Sequence, residues 1–260
     1  MGNGKDHYYN KSKQEGYRTR ASYKLQQIDD EFGVLFGGAT VVDLGAAPGG
    51  WLQVAAERVG SRGKVLGVDF QRIDPIEDVE AGVETIRGDM TDEDTREEIA
   101  AKAGRGGVDV VISDMAPNMT GEYNLDHARS VYLARTALDT ARDVLQDGGH
   151  FVAKVFDGQD FEAFREDVAE EFAFAATYTP DASRDSSSEL YVIGKNRVDA
   201  PVEAGDVLDV EIVGEGDEGD GIAKVADGYT LFVPEAAEGE AVEIEVTDVK
   251  PNFGFAERTD

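Results

Sequence analysis

The chain has 260 residues, 41% of them hydrophobic, enough for a buried core in one large domain or in a medium and a small one. It has no cysteine, which excludes disulfides, thiolate metal sites and Cys–His hydrolysis. Fifty-four acids against 25 bases give a net charge of −29 spread along the whole chain, the pattern of a surface kept hydrated in molar salt.

The first residues, MGNGKDHYYNKSKQEGYRTR, are polar, and no run of eighteen apolar residues follows. A soluble, cytoplasmic protein without a membrane span is therefore expected. Residues 1–24 hold Lys5, Lys11, Lys13, Arg18, Arg20 and Lys24 against Asp6 and Glu15, a local charge of +4. Tyr8, Tyr9, Tyr17 and Tyr23 interleave with these bases, which suits phosphates and stacked bases. A solvated arm is the alternative reading. The net charge argues against a nucleic-acid partner, but at 1 M salt the Debye length is roughly 3 Å and local patches matter more than the total.

Residues 20–32 place Ala21, Leu25, Ile28 and Phe32 on one helical face, and a Gly-Gly turn follows at 37–38. Strands are predicted at Val41–Leu44, Lys64–Phe70, Val83–Arg87, Val108–Ser113, Phe151–Phe156, Ala175–Thr179 and Leu190–Gly194. Helices are predicted at 50–59, 92–103, 125–146 and 160–172, the third ended by Asp-Gly-Gly. This alternation implies an α/β, Rossmann-like sheet, mostly parallel and flanked by helices, with ligands outside the carboxyl ends of the strands. From Pro201 the pattern changes to short alternating segments punctuated by Gly and Asp, which predicts a small all-β, OB-like barrel over 201–260.

The segment Val41-Val42-Asp43-Leu44-Gly45-Ala46-Ala47-Pro48-Gly49-Gly50-Trp51 joins the first sheet strand to a helix. It is not G-x-G-x-x-G, which argues against a dinucleotide-dependent oxidoreductase. Small residues and a helix start suit the amino-acid end of S-adenosylmethionine. Strand-end acids recur at Asp43, Asp69 and Asp89. Asp69 is placed for two ribose hydroxyls and Asp89 for an adenine amino group. Trp51, the single tryptophan, is either core or a cofactor contact.

Asp114 ends VVISD and is followed by Met115-Ala116-Pro117-Asn118. Enzymes that methylate amino groups often carry Asn/Asp-Pro-Pro-aromatic there, so that acceptor is disfavoured. Methylation of pyrimidine carbon 5 through a cysteine is excluded outright. Lys154 lies in the apolar run Phe151–Phe156, where a buried lysine implies function rather than packing. Glu189 opens ELYVIG within reach of the same region. His7, His127 and His150 are scattered, and no metal site is expected.

These segments together resemble the FtsJ/RlmE family of ribosomal RNA 2′-O-methyltransferases over residues 10–197. The likeness is carried by R-A-S-Y-K-L, D-L-G-A-A-P-G-G-W, V-D-F, G-D, S-D-M-A-P-N, K-V-F and E-L-Y. The resemblance implies a catalytic tetrad of Lys24, Asp114, Lys154 and Glu189, with Lys154 as general base. It implies S-adenosylmethionine contacts at Gly49, Trp51, Asp69, Asp89 and Asp114. It further implies a uridine ribose in 23S, large-subunit ribosomal RNA as acceptor, met within the 50S subunit; a monomer is expected. A tRNA ribose methyltransferase and a non-catalytic RNA-binding assembly factor remain open. Residues 201–260 resemble a TRAM domain through G-D-G-I-A-K-V-x-x-G-Y-T-L-F-V-P. From Asp199 onward that unit carries eighteen acids against Lys224, Lys250 and Arg258, which weakens phosphate binding. Tyr229, Phe232, Phe253 and Phe255 offer either stacking surfaces or core.

Overall fold

The computed structural model describes residues 4–104, 106–184, 187–198, 200–216 and 219–259. Side chains are described from residue 7, Asp227 excepted, so the start of the basic arm, Lys5 included, lies outside the described residues. The chain divides into two compact units, residues 1–169 with 174–196, and residues 170–173 with 197–260.

The first unit opens with α1 (Gly4–Glu15), a helix that the polar arm did not lead us to expect. Its residues lack an apolar stripe, but Tyr8 packs edge-on to His7 and stacks obliquely on Tyr23 of α2 (Ser22–Phe32). Helix and strand then alternate as β1 (Thr40–Leu44), α3 (Gly50–Val59), β2 (Lys64–Asp69), β3 (Gly82–Arg87) and α4 (Glu93–Ala103). The chain continues as β4 (Val108–Ser113), α5 (Tyr123–Val144), β5 (Leu145–Phe156), α6 (Phe161–Glu171), β6 (Phe172–Tyr178) and β7 (Glu189–Arg197), with residues 170–173 and 197 counted in the second unit. The long helix stops at Val144, two residues before the predicted end, because Leu145 already pairs with Val108. The Asp-Gly-Gly segment thus lies inside β5, within a register shift between Leu145 and His150, rather than closing a helix.

The sheet order is β3-β2-β1-β4-β5-β7-β6. The pairs from β3 to β5 are parallel, and β7 is antiparallel to β5. Val41, Val65, Val110, Ile112 and Val152 pack with Leu25, Ile28 and Leu52, so α2 and α3 cover one face. Side chains alternate across a strand, which turns Val42, Leu66 and Val111 to the opposite face. Near-continuous burial of β1, β2 and β4 is what a sheet covered on both faces requires. No helix of the described residues is long and apolar enough to cross a membrane.

The second unit is a closed five-strand barrel of β8 (Val207–Glu215), β9 (Gly221–Lys224), β10 (Thr230–Val233), β11 (Ala241–Val249) and β12 (Phe253–Arg258). Its order is β10-β12-β11-β8-β9, with β10 and β12 parallel. Val210, Ile212, Leu231, Val233, Ile244 and Val246 fill the interior, each two residues from the next on its strand. Tyr229 is buried with its hydroxyl donating to the carbonyls of Lys250 and Phe253. Phe232, Phe253 and Phe255 cluster outside instead, the last two more than a third exposed.

Candidate active site

Strand alternation gathers the site. Asp114 lies two residues beyond Ile112, Lys154 two beyond Val152, and Glu189 two before Tyr191, and each of these partners belongs to the core cluster under α2. The three side chains therefore face α2 at the carboxyl edge of the sheet. Because β7 is antiparallel, its first residue, Glu189, pairs with Phe156 and reaches the edge where β5 ends. Lys24 lies one helical turn before Ile28, on the buried stripe of α2.

The four side chains form two ion pairs. Lys24 Nζ is 2.6 Å from Glu189 Oε1. Lys154 Nζ is 2.8 Å from Asp114 Oδ1 and also donates to the Asp114 carbonyl at 2.5 Å. Lys24, Lys154 and Glu189 are each 8% exposed or less. Charges so buried persist only when paired.

Tyr191, two residues from Glu189 and directly paired with Lys154, joins the cluster. Its hydroxyl donates to Asp114 Oδ1 at 2.6 Å, and Lys24 Nζ lies 5.7 Å from its ring centroid. Burial works to raise the Asp114 carboxyl. The Lys154 and Lys24 charges, with the hydrogen bonds from Lys154 and Tyr191, outweigh it and hold the group below the ordinary carboxylate range. Burial and the Asp114 charge push the Tyr191 phenol well above its usual range, so it is a fixed donor.

Three cavities meet here. One of about 390 Å³ is lined by Arg20, Lys24, Met119, Lys154, Arg184 and Glu189 among others. One of about 200 Å³ runs from Thr19–Ala21 past Asp43, Gly45–Pro48 and Trp51 to Asp114. One of about 470 Å³ is lined by Asp69, Phe70, Met90, Asp114, Met115 and Leu133 among others. Asp114 lines the second and third, while its partner Lys154 lines the first. The second and third share Gly45, Ala47 and Asp114 and so form a two-part cavity, while the first shares Arg20 and Ala21 with the second and Ala116 with the third.

The two-part cavity suits a cation that also carries a carboxylate and hydroxyls, as S-adenosylmethionine does. Three carboxylates, Asp43, Asp69 and Asp114, contribute to its walls. Asp43 Oδ2 is buried with no hydrogen-bond partner among the described residues. The α3 N-terminus has no side-chain cap, leaving N–H groups for an anionic end. Asp69 accepts from Ala47 N at 3.0 Å and Gln71 N at 2.8 Å, and its carboxylate retains lone pairs for hydroxyls.

The other residues expected to bind the cofactor are placed less directly. Asp89 accepts from Thr91 N at 2.9 Å, and its neighbour Met90 lines the larger cavity. Trp51 is 3% exposed in the core and donates to Ala21 O at 2.8 Å, yet it also lines the smaller cavity. Gly49 has φ +107°, and a Cβ there would lie 2.7 Å from Arg18 Nη1. Arg18 donates to the carbonyls of Pro48 at 2.9 Å and Asp74 at 2.7 Å, and to that of Pro75. This base of the N-terminal arm therefore ties the loop between β1 and α3 to the segment after β2. Sequence reasoning missed Arg18 in this role, and nothing in its composition marks it. It also missed Tyr191, which the period of two from Glu189 could have indicated. Among the described residues no group of His, Asp or Glu could hold a metal ion.

Comparison with known proteins gives the family. Residues 17–197 match the family model described as FtsJ-like methyltransferase, and residues 201–258 match the TRAM domain. The chain is 68% identical over 260 residues to "Ribosomal RNA large subunit methyltransferase E" of Halobacterium salinarum, covering 100% of this chain and 99% of that one. It is 62% identical over 257 residues to the protein of the same name from Halorubrum lacusprofundi, covering 99% and 94%. Among solved structures it is similar to a Plasmodium falciparum protein described as a ribosomal RNA methyltransferase. That likeness has a TM-score of 0.62 at 25% identity and covers 70% of this chain and 98% of that one.

Proposed function

Since the chain belongs to the FtsJ-like methyltransferase family, with a TRAM domain behind it, we propose that it methylates a ribose 2′-hydroxyl of a uridine in large-subunit ribosomal RNA. S-adenosylmethionine, when bound in the two-part cavity, supplies an electrophilic methyl on sulfonium. The observation that carries the reading is the Lys154–Asp114 contact between the cavities, with Lys24 and Glu189 paired beside it. The names of the haloarchaeal relatives support the ribosomal substrate.

In this reading the 390 Å³ cavity receives the acceptor nucleotide. A 2′-hydroxyl is a weak acid and must lose its proton as it attacks. Lys154 Nζ takes it as the free amine, having first given up its own ammonium proton to solvent. Asp114 fixes Lys154 through two hydrogen bonds, and Tyr191 fixes Asp114. Lys24 and Glu189 line the same cavity and orient the hydroxyl. Holding nucleophile and methyl in line supplies the rest of the acceleration. Residues 1–197 carry this chemistry. Residues 201–260 add contact with RNA through exposed aromatic rings rather than through charge. The protein works as a monomer on the 50S subunit in the cytoplasm.

The test offers methyl-labelled S-adenosylmethionine, in molar KCl, to unmodified large subunits and to bulk tRNA. Digestion and mass spectrometry then identify the labelled nucleoside. Label on 2′-O-methyluridine of the large subunit supports the proposal, and Lys154→Ala should remove it while leaving cofactor binding intact. Label on tRNA alone would keep the chemistry and replace the substrate. No label on either RNA, or full turnover by Lys154→Ala, would overturn it.

A further inference from the structure

Of the strand-end acids Asp43, Asp69 and Asp89, Asp43 alone accepts no hydrogen bond among the described residues. It follows the buried Val41 by two residues on β1, so its side chain faces α3. It is 1% exposed and lines the 200 Å³ cavity, and its Oδ2 has no hydrogen-bond donor among the described residues. An ionised carboxylate buried without a donor is costly, and such a group resolves the cost by holding a proton or by gaining a cation.

The neighbouring groups sharpen this choice. Asp114 beyond β4 and Asp69 at the end of β2 both repel charge on Asp43. Lys154 of β5 and the Tyr191 hydroxyl of β7 are turned to Asp114, and Lys24 of α2 is paired with Glu189. From the N-terminal segment Arg20 lines the same cavity, and its Nη2 donates to Ala182 O at 2.6 Å. The uncapped N-terminus of α3 adds a partial positive charge. Burial first, then the Asp114 and Asp69 charges, pushes the Asp43 carboxyl well above the ordinary carboxylate range.

We propose that Asp43 carries a proton until a cationic ligand enters the 200 Å³ cavity, and that binding of the methyl donor expels this proton. The step is one O–H ionisation: the proton passes from the Asp43 carboxyl to the buffer, and the carboxylate left behind faces the ligand's positive charge. Methyl-donor binding is thereby linked to pH, its affinity rising with pH until Asp43 is ionised in the free protein. The inference rests on the assignment of this cavity to the methyl donor.

Titration calorimetry of S-adenosylmethionine into the full chain tests it, in molar KCl at pH 6, in two buffers of different ionisation enthalpy. At that pH the ligand's own amino group, ordinarily about 7.7–8.0, is already protonated. The difference in heat between buffers should correspond to release of about one proton by the wild type and of none by Asp43→Asn. Wild-type affinity should climb towards tenfold per pH unit from pH 5 upward, while that of Asp43→Asn stays flat. Should Asp43→Asn not fold, infrared difference spectra of the wild type should show a carboxylic-acid band that disappears on adding the ligand. Binding without proton release, or equal release by the variant, or no such band, overturns the inference alone. No binding at all by the wild type overturns the methyl-donor assignment and the inference with it.

Discussion

Replacing Tyr191 by Phe tests the geometry of the cluster with the least disturbance. The ring stays in its fully buried place beside Trp51, at a centroid distance of 5.9 Å. Only the hydroxyl is lost, and with it the 2.6 Å bond to Asp114 Oδ1. A hydrogen bond to a charged group contributes about 1.5–3 kcal/mol. For a domain of this size each kcal/mol moves Tm by roughly 2–4 °C, so Tm should fall by about 3–12 °C. Lys154 still pairs with Asp114, so the variant folds.

The pH dependence separates this bond from general packing. The Asp114 carboxyl is held below its ordinary range, so its contribution is present above about pH 3.9 and is lost as pH falls through the lower folded value. Without the Tyr191 donor the folded value moves up, and less stability is left to lose. The Tm gap between wild type and Tyr191→Phe should therefore narrow below about pH 4. Turnover should fall roughly tenfold, equivalent to ~1.4 kcal/mol, with S-adenosylmethionine affinity unchanged. A Tm within 1 °C of wild type on this roughly 2–4 °C per kcal/mol scale, or a gap independent of pH, would refute the reasoning.

Three further outcomes are expected. Lys24→Met and Glu189→Gln should each cost about 3–5 kcal/mol by stranding one buried charge, and the double variant should cost less than their sum. Strict additivity in denaturant titrations would show that the 2.6 Å pair carries no coupling. Gly45 has φ +76°, and a Cβ there would lie 2.5 Å from Met115 Cγ, so Gly45→Ala should cost about 1–3 kcal/mol and weaken S-adenosylmethionine binding in calorimetry. An unchanged dissociation constant would remove that loop from the cofactor site. Finally, Tm should drop steadily as KCl is lowered from molar to 0.1 M, because the Debye length grows to about 10 Å and the net charge of −29 repels itself over a longer range. A flat Tm would separate the acidic surface from salt adaptation.

Much of the site was legible because its residues contradict their surroundings. Lys154 stands in an apolar strand, and Asp114 ends another. Glycines and small residues between β1 and α3 leave the backbone of that loop open to close approach. Arg18 looked like one more base of a basic arm, yet its guanidinium is bound to three carbonyls. The exposed Phe253 and Phe255 and the buried Tyr229 were alike as sequence, since strand aromatics suit either side of a barrel wall. The α5 boundary was missed because strand pairing at Leu145 overrides a local glycine signal.

By itself, then, the sequence determined what depends on local order: the periods of two and 3.6, the loop between β1 and α3, the change of character after Pro201, and the identity of the charged side chains. Which charges are partners depends on how the chain packs. Lys24 and Glu189 are 165 positions apart in the chain, and Lys154 and Asp114 are 40 apart. Strand order, the reversed direction of β7 and the packing of α2 on one sheet face bring them within hydrogen-bonding distance. Spacing along the chain does not encode such contacts, because hydrophobic burial chooses the face and sheet pairing sets the register.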